Sequence, residues 1–264
     1  MKARSTRNVR CEAQNPVHIT RISDLPSQYT AVLLDQFEDA FVGAITSGEV
    51  THNALLNRQG EFWETLGNKC IHLTWGARGS ISLEGLGLEV VRDVEEADFI
   101  LTHGTEALGG GDGVDPTPIS LQEIREILAV AAAKDLPLLI ANPDIVTVDR
   151  SLLAVMPGQF GNWYNEMGGK ACVLLGKPAS VIYQGAMQLL GISDPKSVIA
   201  IGDSLEHDIA GAQSAGCDSV FVAGGIHAEE LGISGKSTKI DGEKLEALYA
   251  QFGAHPTYVI PYLQ

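Results

Sequence analysis

The stretch that decides the fold is Ile199-Ala200-Ile201-Gly202-Asp203-Ser204-Leu205-Glu206-His207-Asp208-Ile209-Ala210-Gly211-Ala212. Its apolar beginning, together with Val198, predicts a short buried strand over 198–201, followed by a helix over about 207–215. Asp203 and Asp208 lie on either side of the turn between them, so both carboxylates can face one site. Clustered carboxylates at a strand end suit Mg²⁺, although the same residues could instead cap the helix.

The same alternation of short apolar strands and helices extends outward in both directions. Strands are predicted over 30–34, 70–73, 88–91, 99–101, 138–140, 173–175 and 219–222, and helices over 49–56, 61–66, 121–131 and 180–190. This alternation predicts an α/β protein with a parallel sheet. Residues 104–118 contain five glycines and two prolines and are predicted to form a loop. The glycines within 109–113 lack the preceding strand that a nucleotide-binding loop needs.

Polar residues at strand ends are the candidate site residues, because ligands of open parallel sheets bind outside the carboxyl ends of the strands. Asp35 follows the strand over 30–34, and Lys177 follows the strand over 173–175. The Lys177 ammonium could offset the carboxylates and hold an anionic group. The alternatives are that Asp35 caps a turn and that Lys177 is a solvated loop lysine.

Composition excludes several classes of function. The 264 residues include 18 Lys and Arg against 33 Asp and Glu, a net charge of −15 that disfavours nucleic acid and anionic membranes as partners. No apolar run approaches the ~20 residues of a membrane-spanning helix. The four cysteines have no metal or redox spacing, so reduced thiols are expected. His72, His103 and His207 lack zinc-ligand spacing, and Trp63, Trp75 and Trp163 are expected to be packing residues.

Residues 1–16 differ in composition from the rest of the chain. Lys2, Arg4, Arg7 and Arg10 precede the first acidic residue, Glu12. This pattern is typical of a transit segment, so we expect an organellar location, in a chloroplast or mitochondrion. The alternative is a short basic tail on a cytoplasmic protein.

Several of these segments together resemble the haloacid dehalogenase (HAD) superfamily. Asp35 after its strand, Gly176-Lys177-Pro178, and residues 202–212 are similar to the first, third and fourth motifs of that superfamily. Ala141-Asn142-Pro143-Asp144 and Gly224-Gly225-Ile226-His227 resemble its class IIA branch. The resemblance implies a HAD-like Rossmannoid parallel-sheet core over 17–66 and 173–264, with an inserted α/β cap domain over 67–172.

The resemblance also implies a Mg²⁺-dependent phosphatase acting on a small phosphorylated metabolite. Asp35 would be the nucleophile, and the metal ligands would be Asp35, the backbone carbonyl of Phe37 and Asp203. Asp208 would support the metal site, and Lys177 would bind the phosphate and the nucleophile. Catalysis would then depend on positioning and charge neutralisation.

Two departures from the family pattern bear on activity. Phe37 stands where a general acid Asp is usual, and only ten residues, Gln36 to Ile45, separate Asp35 from Thr46-Ser47-Gly48. A crossover to a parallel neighbour takes a dozen or more residues, so the second motif is predicted to be missing, through a skipped exon, a faulty gene model or genuine loss. Thr74 could supply the hydroxyl that the Ser or Thr of the second motif provides, or it could be an ordinary surface threonine.

Two hypotheses for function therefore remain open. The chain is either a phosphatase or a non-catalytic binding or assembly subunit on the same fold. In the second case, the sheet edge left by the missing segment would pair with another chain, for example in a homo-oligomer.

Overall fold

The computed structural model describes residues 43–76, 80–111, 114–149, 152–234 and 239–263. Asp35, Phe37 and the strand predicted over 30–34 lie outside these ranges, as does the basic N-terminal tail.

A seven-stranded, mostly parallel sheet occupies the first part of the described chain. Its strand order is β5-β4-β1-β3-β6-β9, and β2 also pairs with β1. β4 pairs antiparallel with both β1 and β5, and the other described strand pairs of this sheet are parallel. The strands are β1 (Lys69–Thr74), β2 (Glu89–Val90), β3 (Phe99–Thr102), β4 (Ala107–Leu108), β5 (Thr117–Pro118), β6 (Leu138–Ile140) and β9 (Cys172–Leu174).

The remaining described strands form two smaller sheets. β7 (Val146–Asp149) and β8 (Leu152–Val155) form an antiparallel hairpin. β10 (Ile199–Gly202), β11 (Asp218–Val222) and β12 (Tyr258–Ile260) form a parallel sheet in that order. We call the seven-stranded sheet the large sheet and this three-stranded sheet the small sheet.

Helices connect the strands of both sheets. They are α1 (Ser47–Asn57), α2 (Glu61–Thr65), α3 (Leu121–Ala133), α4 (Gly158–Glu166), α5 (Ser180–Leu189), α6 (Ala210–Ala215) and α7 (Gly242–Phe252). Short 3-10 turns occupy Val94–Glu96 and Pro195–Ser197, and a π-helical turn occupies Leu205–Ile209. Within the described ranges, no helix has the length and apolar character needed to span a membrane.

The two best-defined helix starts follow directly from sequence. Thr46 and Glu49 at α1, and Ser120 and Glu123 at α3, form reciprocal capping boxes in which each side chain accepts the other residue's backbone N–H. This arrangement satisfies amides that a helix start leaves unpaired.

Each face of the large sheet is buried by a different set of helices. Ile71, Leu73 and Ile100 pack with Ile124 of α3 and Phe160 of α4 on one face. On the other face, Cys70, Phe99, Leu101 and Leu139 pack with Leu55 of α1 and with Leu66 and Leu86. Burial on both faces explains why these strands read as continuous apolar runs.

The small sheet is also packed on both faces. On one side Phe221 packs with Leu205, Ile209 and residues of α7. On the other side Ala200 packs with Ile182 of α5 and Val50 of α1. Because α1 contributes Leu55 to one cluster and Val50 to another, it contacts the cores of both sheets.

The predicted α/β class with a mostly parallel sheet is confirmed, and two local predictions need correction. The predicted loop over 104–118 contains β4 and β5. The strand predicted to open the second part of the core, β9, pairs with β6 in the large sheet, and the division of the chain into core and cap stays a prediction. The helix predicted from about His207 begins two residues earlier, at Leu205, as the π-helical turn.

Candidate active site

The carboxyl ends of strands from the large and small sheets meet at Lys177 and Asp208. Lys177 follows β9 and Asp208 follows β10, and the distance between Lys177 Nζ and Asp208 Oδ1 is 2.7 Å. The two side chains are only 17% and 12% exposed. The alternative that Lys177 is a solvated loop lysine is therefore wrong, because its ammonium is paired and mostly buried.

Asp208 is held from several directions. Its Oδ2 accepts the N–H of Ser204 at 3.1 Å, so both carboxylate oxygens are engaged. Tyr183 on α5 donates its hydroxyl to the Asp208 backbone oxygen at 2.8 Å, and burial followed by the Asp208 charge raises the pKa of Tyr183. A Cβ at Gly202 would lie 2.3 Å from Asp208 Cγ, so glycine is needed there. The helix start is capped by the side chain of Ser204, while Asp208 accepts the Ser204 N–H and supplies negative charge beside Lys177.

Asp203 presents a carboxylate with one oxygen held and one available. Its Oδ2 accepts the N–H of Ile226 at 3.1 Å. A Cβ at Gly225 would lie 2.2 Å from Asp203 Cβ, which explains the glycine in the Gly224-Gly225-Ile226-His227 turn. Within the described residues, Asp203 Oδ1 has no hydrogen-bond partner. This oxygen is the ligand type that hard cations prefer.

The described residues alone do not make a complete metal site. No group of three or more His, Cys, Asp or Glu side chains in the described ranges is placed to hold an ion. Asp203 fits one ligand position for Mg²⁺, and Asp208 is already paired with Lys177. The other two predicted ligands, Asp35 and Phe37, lie outside the described residues.

Asp144 and His207 form a second contact between the two sheets that the sequence did not lead us to select. Ser204 Oγ lies 3.0 Å from His207 Nδ1, and His207 Nε2 lies 4.0 Å from Asp144 Oδ1. Asp144 comes shortly after β6, at the same carboxyl edge as Lys177. The rule that selected Lys177 could therefore have selected Asp144 as well.

Thr74 belongs to a buried polar chain and not to the surface. Its Oγ1 lies 3.0 Å from Ser80 Oγ and 3.3 Å from His103 Nε2, and His103 Nδ1 lies 3.4 Å from His72 Nε2. Thr74 is fully buried, so the surface-threonine alternative is wrong. Burial, followed by the charge of His103, lowers the pKa of His72 to about 3. His72 is therefore neutral near pH 7.

Family models match the part of the chain that contains this site. A model described as HAD-hydrolase-like matches residues 174–264, and one described as haloacid dehalogenase-like hydrolase matches residues 118–216. Among curated proteins, none matches the sequence significantly.

Solved structures with the same fold include several hydrolases. A haloacid dehalogenase-like hydrolase from Brucella suis is 25% identical with a TM-score of 0.62, covering 92% of this chain and 81% of its own. A p-nitrophenyl phosphatase from Archaeoglobus fulgidus is 21% identical with a TM-score of 0.57, covering 94% and 80%. A glycerol phosphate phosphatase from Mycobacterium tuberculosis, in complex with calcium, is 20% identical with a TM-score of 0.56, covering 92% and 61%.

The described fold is thus similar to that of haloacid dehalogenase-like hydrolases. Residues 118–264, which the two models together cover, are similar to the haloacid dehalogenase superfamily.

Proposed function

We propose that this chain is a Mg²⁺-dependent phosphomonoester phosphatase that forms a phosphoryl-aspartate on Asp35. The observation that carries the proposal is the buried Lys177–Asp208 pair beside Asp203, where the strand ends of both sheets meet. Two phosphatases of the same fold support the activity, and the calcium bound to one of them supports a divalent-cation site. No substrate is assigned more narrowly than a small phosphorylated metabolite.

Each residue has a definite part in the proposed reaction. A carboxylate oxygen of Asp35 forms a bond to phosphorus, and the bond from phosphorus to the leaving oxygen breaks. Water then attacks the phosphoryl-aspartate, which releases inorganic phosphate and restores the carboxylate. Lys177 balances negative charge on the phosphoryl oxygens, and Asp208 fixes the position of the Lys177 ammonium. Mg²⁺, held through Asp203, Asp35 and the Phe37 carbonyl, would supply further charge neutralisation.

The leaving group determines how well such a site can work. Phe37 cannot donate a proton, so the departing oxygen must leave without help from that position. An ester whose leaving group is already acidic, such as an aryl phosphate, needs this proton least. We therefore expect aryl phosphates to react faster than alkyl phosphates.

A non-catalytic binding or assembly role on the same fold is the second candidate. The observation that favours it is the ten-residue interval between Asp35 and Thr46, which is too short for a helix and a strand. Within the described residues, β10 pairs only with β11. The second role would leave an edge near β10 for a second copy of this chain.

Turnover of p-nitrophenyl phosphate in millimolar Mg²⁺ separates the two candidates. The phosphatase proposal expects measurable turnover that is lost in Asp35→Asn and on removal of Mg²⁺ by a chelator. Equal rates for the wild type and Asp35→Asn would leave only the non-catalytic role. Sedimentation of the same samples tests for self-association.

We also propose an organellar location. The support is the basic composition of residues 1–16 in an otherwise acidic chain. A fluorescent protein fused behind this segment should enter chloroplasts or mitochondria. A diffuse cytoplasmic signal would contradict the proposal.

A further inference from the structure

His227 lies in the turn that holds Asp203 but has no part in the chemistry described so far. Its Nδ1 is 2.6 Å from Glu230 Oε2, and its Nε2 accepts the N–H of Leu205 at 3.4 Å. The His227 side chain is 7% exposed and packs against the rings of Phe221 and Phe252. The ring orientation is thus fixed by contacts on every side.

The Glu230 contact determines which nitrogen of His227 carries the proton. A carboxylate accepts hydrogen bonds, so Nδ1 must be the protonated nitrogen that donates to Glu230. Nε2 of the neutral ring is then an acceptor, as the Leu205 N–H requires. Leu205 is the first residue of the π-helical turn, and its amide is one that a helix start leaves unpaired.

Two hydrogen bonds therefore join the same two short segments. Leu205 N–H donates to His227, and Ile226 N–H donates to Asp203 Oδ2. Asp203 and Leu205 lie on either side of Ser204, while Ile226 and His227 are adjacent. The His227 bond therefore fixes the distance across which Ile226 must reach the Asp203 carboxylate.

We propose that His227 and Glu230 are positioning residues for the Asp203 carboxylate. Their hydrogen-bond chain holds the Ile226 amide against Oδ2, so that Oδ1, which has no partner among the described residues, stays available to the proposed metal ion. This inference rests on the proposed function, in which Asp203 holds Mg²⁺. Partners of metal ligands that act in this way typically change metal affinity by about 10–100-fold when they are removed.

Binding of Mn²⁺ to the full chain, followed by the electron paramagnetic resonance signal of the free ion, tests the proposal without needing turnover. His227→Leu removes the acceptor and should weaken Mn²⁺ binding by about 10-fold or more. His227→Gln places an amide oxygen near the position of Nε2 and should retain most of the affinity. His72→Leu is the matched control, because it removes a buried, hydrogen-bonded histidine of the large sheet and should leave Mn²⁺ affinity unchanged.

The outcomes separate this inference from the proposed function. No Mn²⁺ binding by the wild type would overturn the metal site, and with it both proposals. Wild-type binding that His227→Leu weakens no more than His72→Leu would overturn only the positioning role.

The protonation of the His227 ring nitrogens gives a second test, and its first measurement needs only the wild-type protein. Nitrogen-15 spectra of the wild type should show Nδ1 protonated and Nε2 unprotonated at neutral pH. Glu230→Leu should shift His227 toward a mixture of the two neutral forms and weaken Mn²⁺ binding in parallel. A wild-type ring protonated at Nε2 would contradict the hydrogen-bond chain.

Discussion

Lys177 and Asp208 place opposite charges where little water reaches either side chain. The pair at 2.7 Å is accompanied by the Ser204 N–H, which satisfies the second oxygen of Asp208. Removing one member would leave the other charged, mostly buried and without its partner. We therefore expect that breaking the pair lowers the stability of the fold.

We predict that Lys177→Met lowers the free energy of unfolding by about 3 kcal/mol, and that adding Asp208→Asn restores part of the loss. The measurement is urea unfolding of both single variants and the double variant at neutral pH. Lys196→Met is the matched control, because its pair with Asp218 is 65% and 37% exposed and should contribute at most about 1 kcal/mol. Equal losses of unfolding free energy in Lys177→Met and Lys196→Met would show that burial does not increase the contribution of the Lys177–Asp208 pair to stability.

At the level of single residues, sequence selected some members of the candidate site and passed over others. Lys177, Asp203 and Asp208 were found because each follows an apolar strand and carries a charge. His227 was noted only as the end of the Gly224-Gly225-Ile226-His227 segment and was given no role, because its contact with Leu205 joins residues 22 positions apart in the chain. No local pattern encodes a contact of that kind.

Among the elements, β1 and β3 carry the buried histidine pair. His72 on β1 faces His103 just beyond β3, with ring centroids 5.2 Å apart. Leu101 is paired with His72 across the two strands. His103 Nε2 lies 3.3 Å from Thr74 Oγ1, so the side-chain contact of His72 with His103 leads on to a hydroxyl. Protonating His72 would add a charge that the folded state cannot solvate.

We predict a loss of stability in mild acid that depends on His72. The pKa of His72 is about 3 in the folded state against 6.5 for an ordinary histidine, so the unfolded state binds more protons below pH 6.5. The contribution of His72 to the free energy of unfolding is negligible above that pH and becomes destabilising as the pH falls toward 3. Between pH 7 and pH 5, the free energy of unfolding should fall by about 2 kcal/mol more in the wild type than in His72→Gln. Parallel pH curves for the two proteins would contradict the buried neutral state.

The strands that were not predicted from the sequence are those that form only by pairing with residues distant in the chain. The strands over 138–140 and 99–101 were predicted because their apolar runs are bounded by turn residues. β4 and β5 have two residues each, and they form only because β4 finds an antiparallel partner in Thr74 and Leu73. β9 was correctly predicted as a strand, but its place beside β6 depends on the fold of the whole large sheet.

For the whole molecule, α1 and β9 determine where a folding unit can be cut. Leu55 of α1 covers one face of the large sheet, and β9 supplies its last strand. The sequence-based cap over 67–172 lacks Leu55, Leu66 and most of β9. It would expose the apolar face formed by Cys70, Phe99, Leu101 and Leu139.

We predict that a fragment over 67–172 does not unfold cooperatively and that a fragment over 43–176 does. The longer fragment keeps the helix and the strand that complete the large sheet, and with them its apolar burial. Circular dichroism during urea unfolding distinguishes a sigmoidal transition from a gradual one. A sigmoidal transition in the shorter fragment would show that the sequence-based boundary was adequate.

The predicted missing segment also concerns the whole molecule. A longer transcript that encodes a Ser- or Thr-bearing strand between Phe37 and Glu38 would restore a phosphate ligand. One charge-assisted hydrogen bond of this kind contributes about 1.5–3 kcal/mol to binding or rate.

Transfer of a phosphoryl group to Asp35 is the central claim, and mass spectrometry of the acid-quenched protein tests it most directly. After mixing with p-nitrophenyl phosphate and Mg²⁺, the wild type should gain the mass of one phosphoryl group on the peptide that contains Asp35. Asp35→Asn should gain none, and Lys177→Met should gain less, because its phosphate loses the ammonium. Turnover by the wild type with no phosphoryl group on that peptide, or turnover that survives Asp35→Asn, would contradict the account.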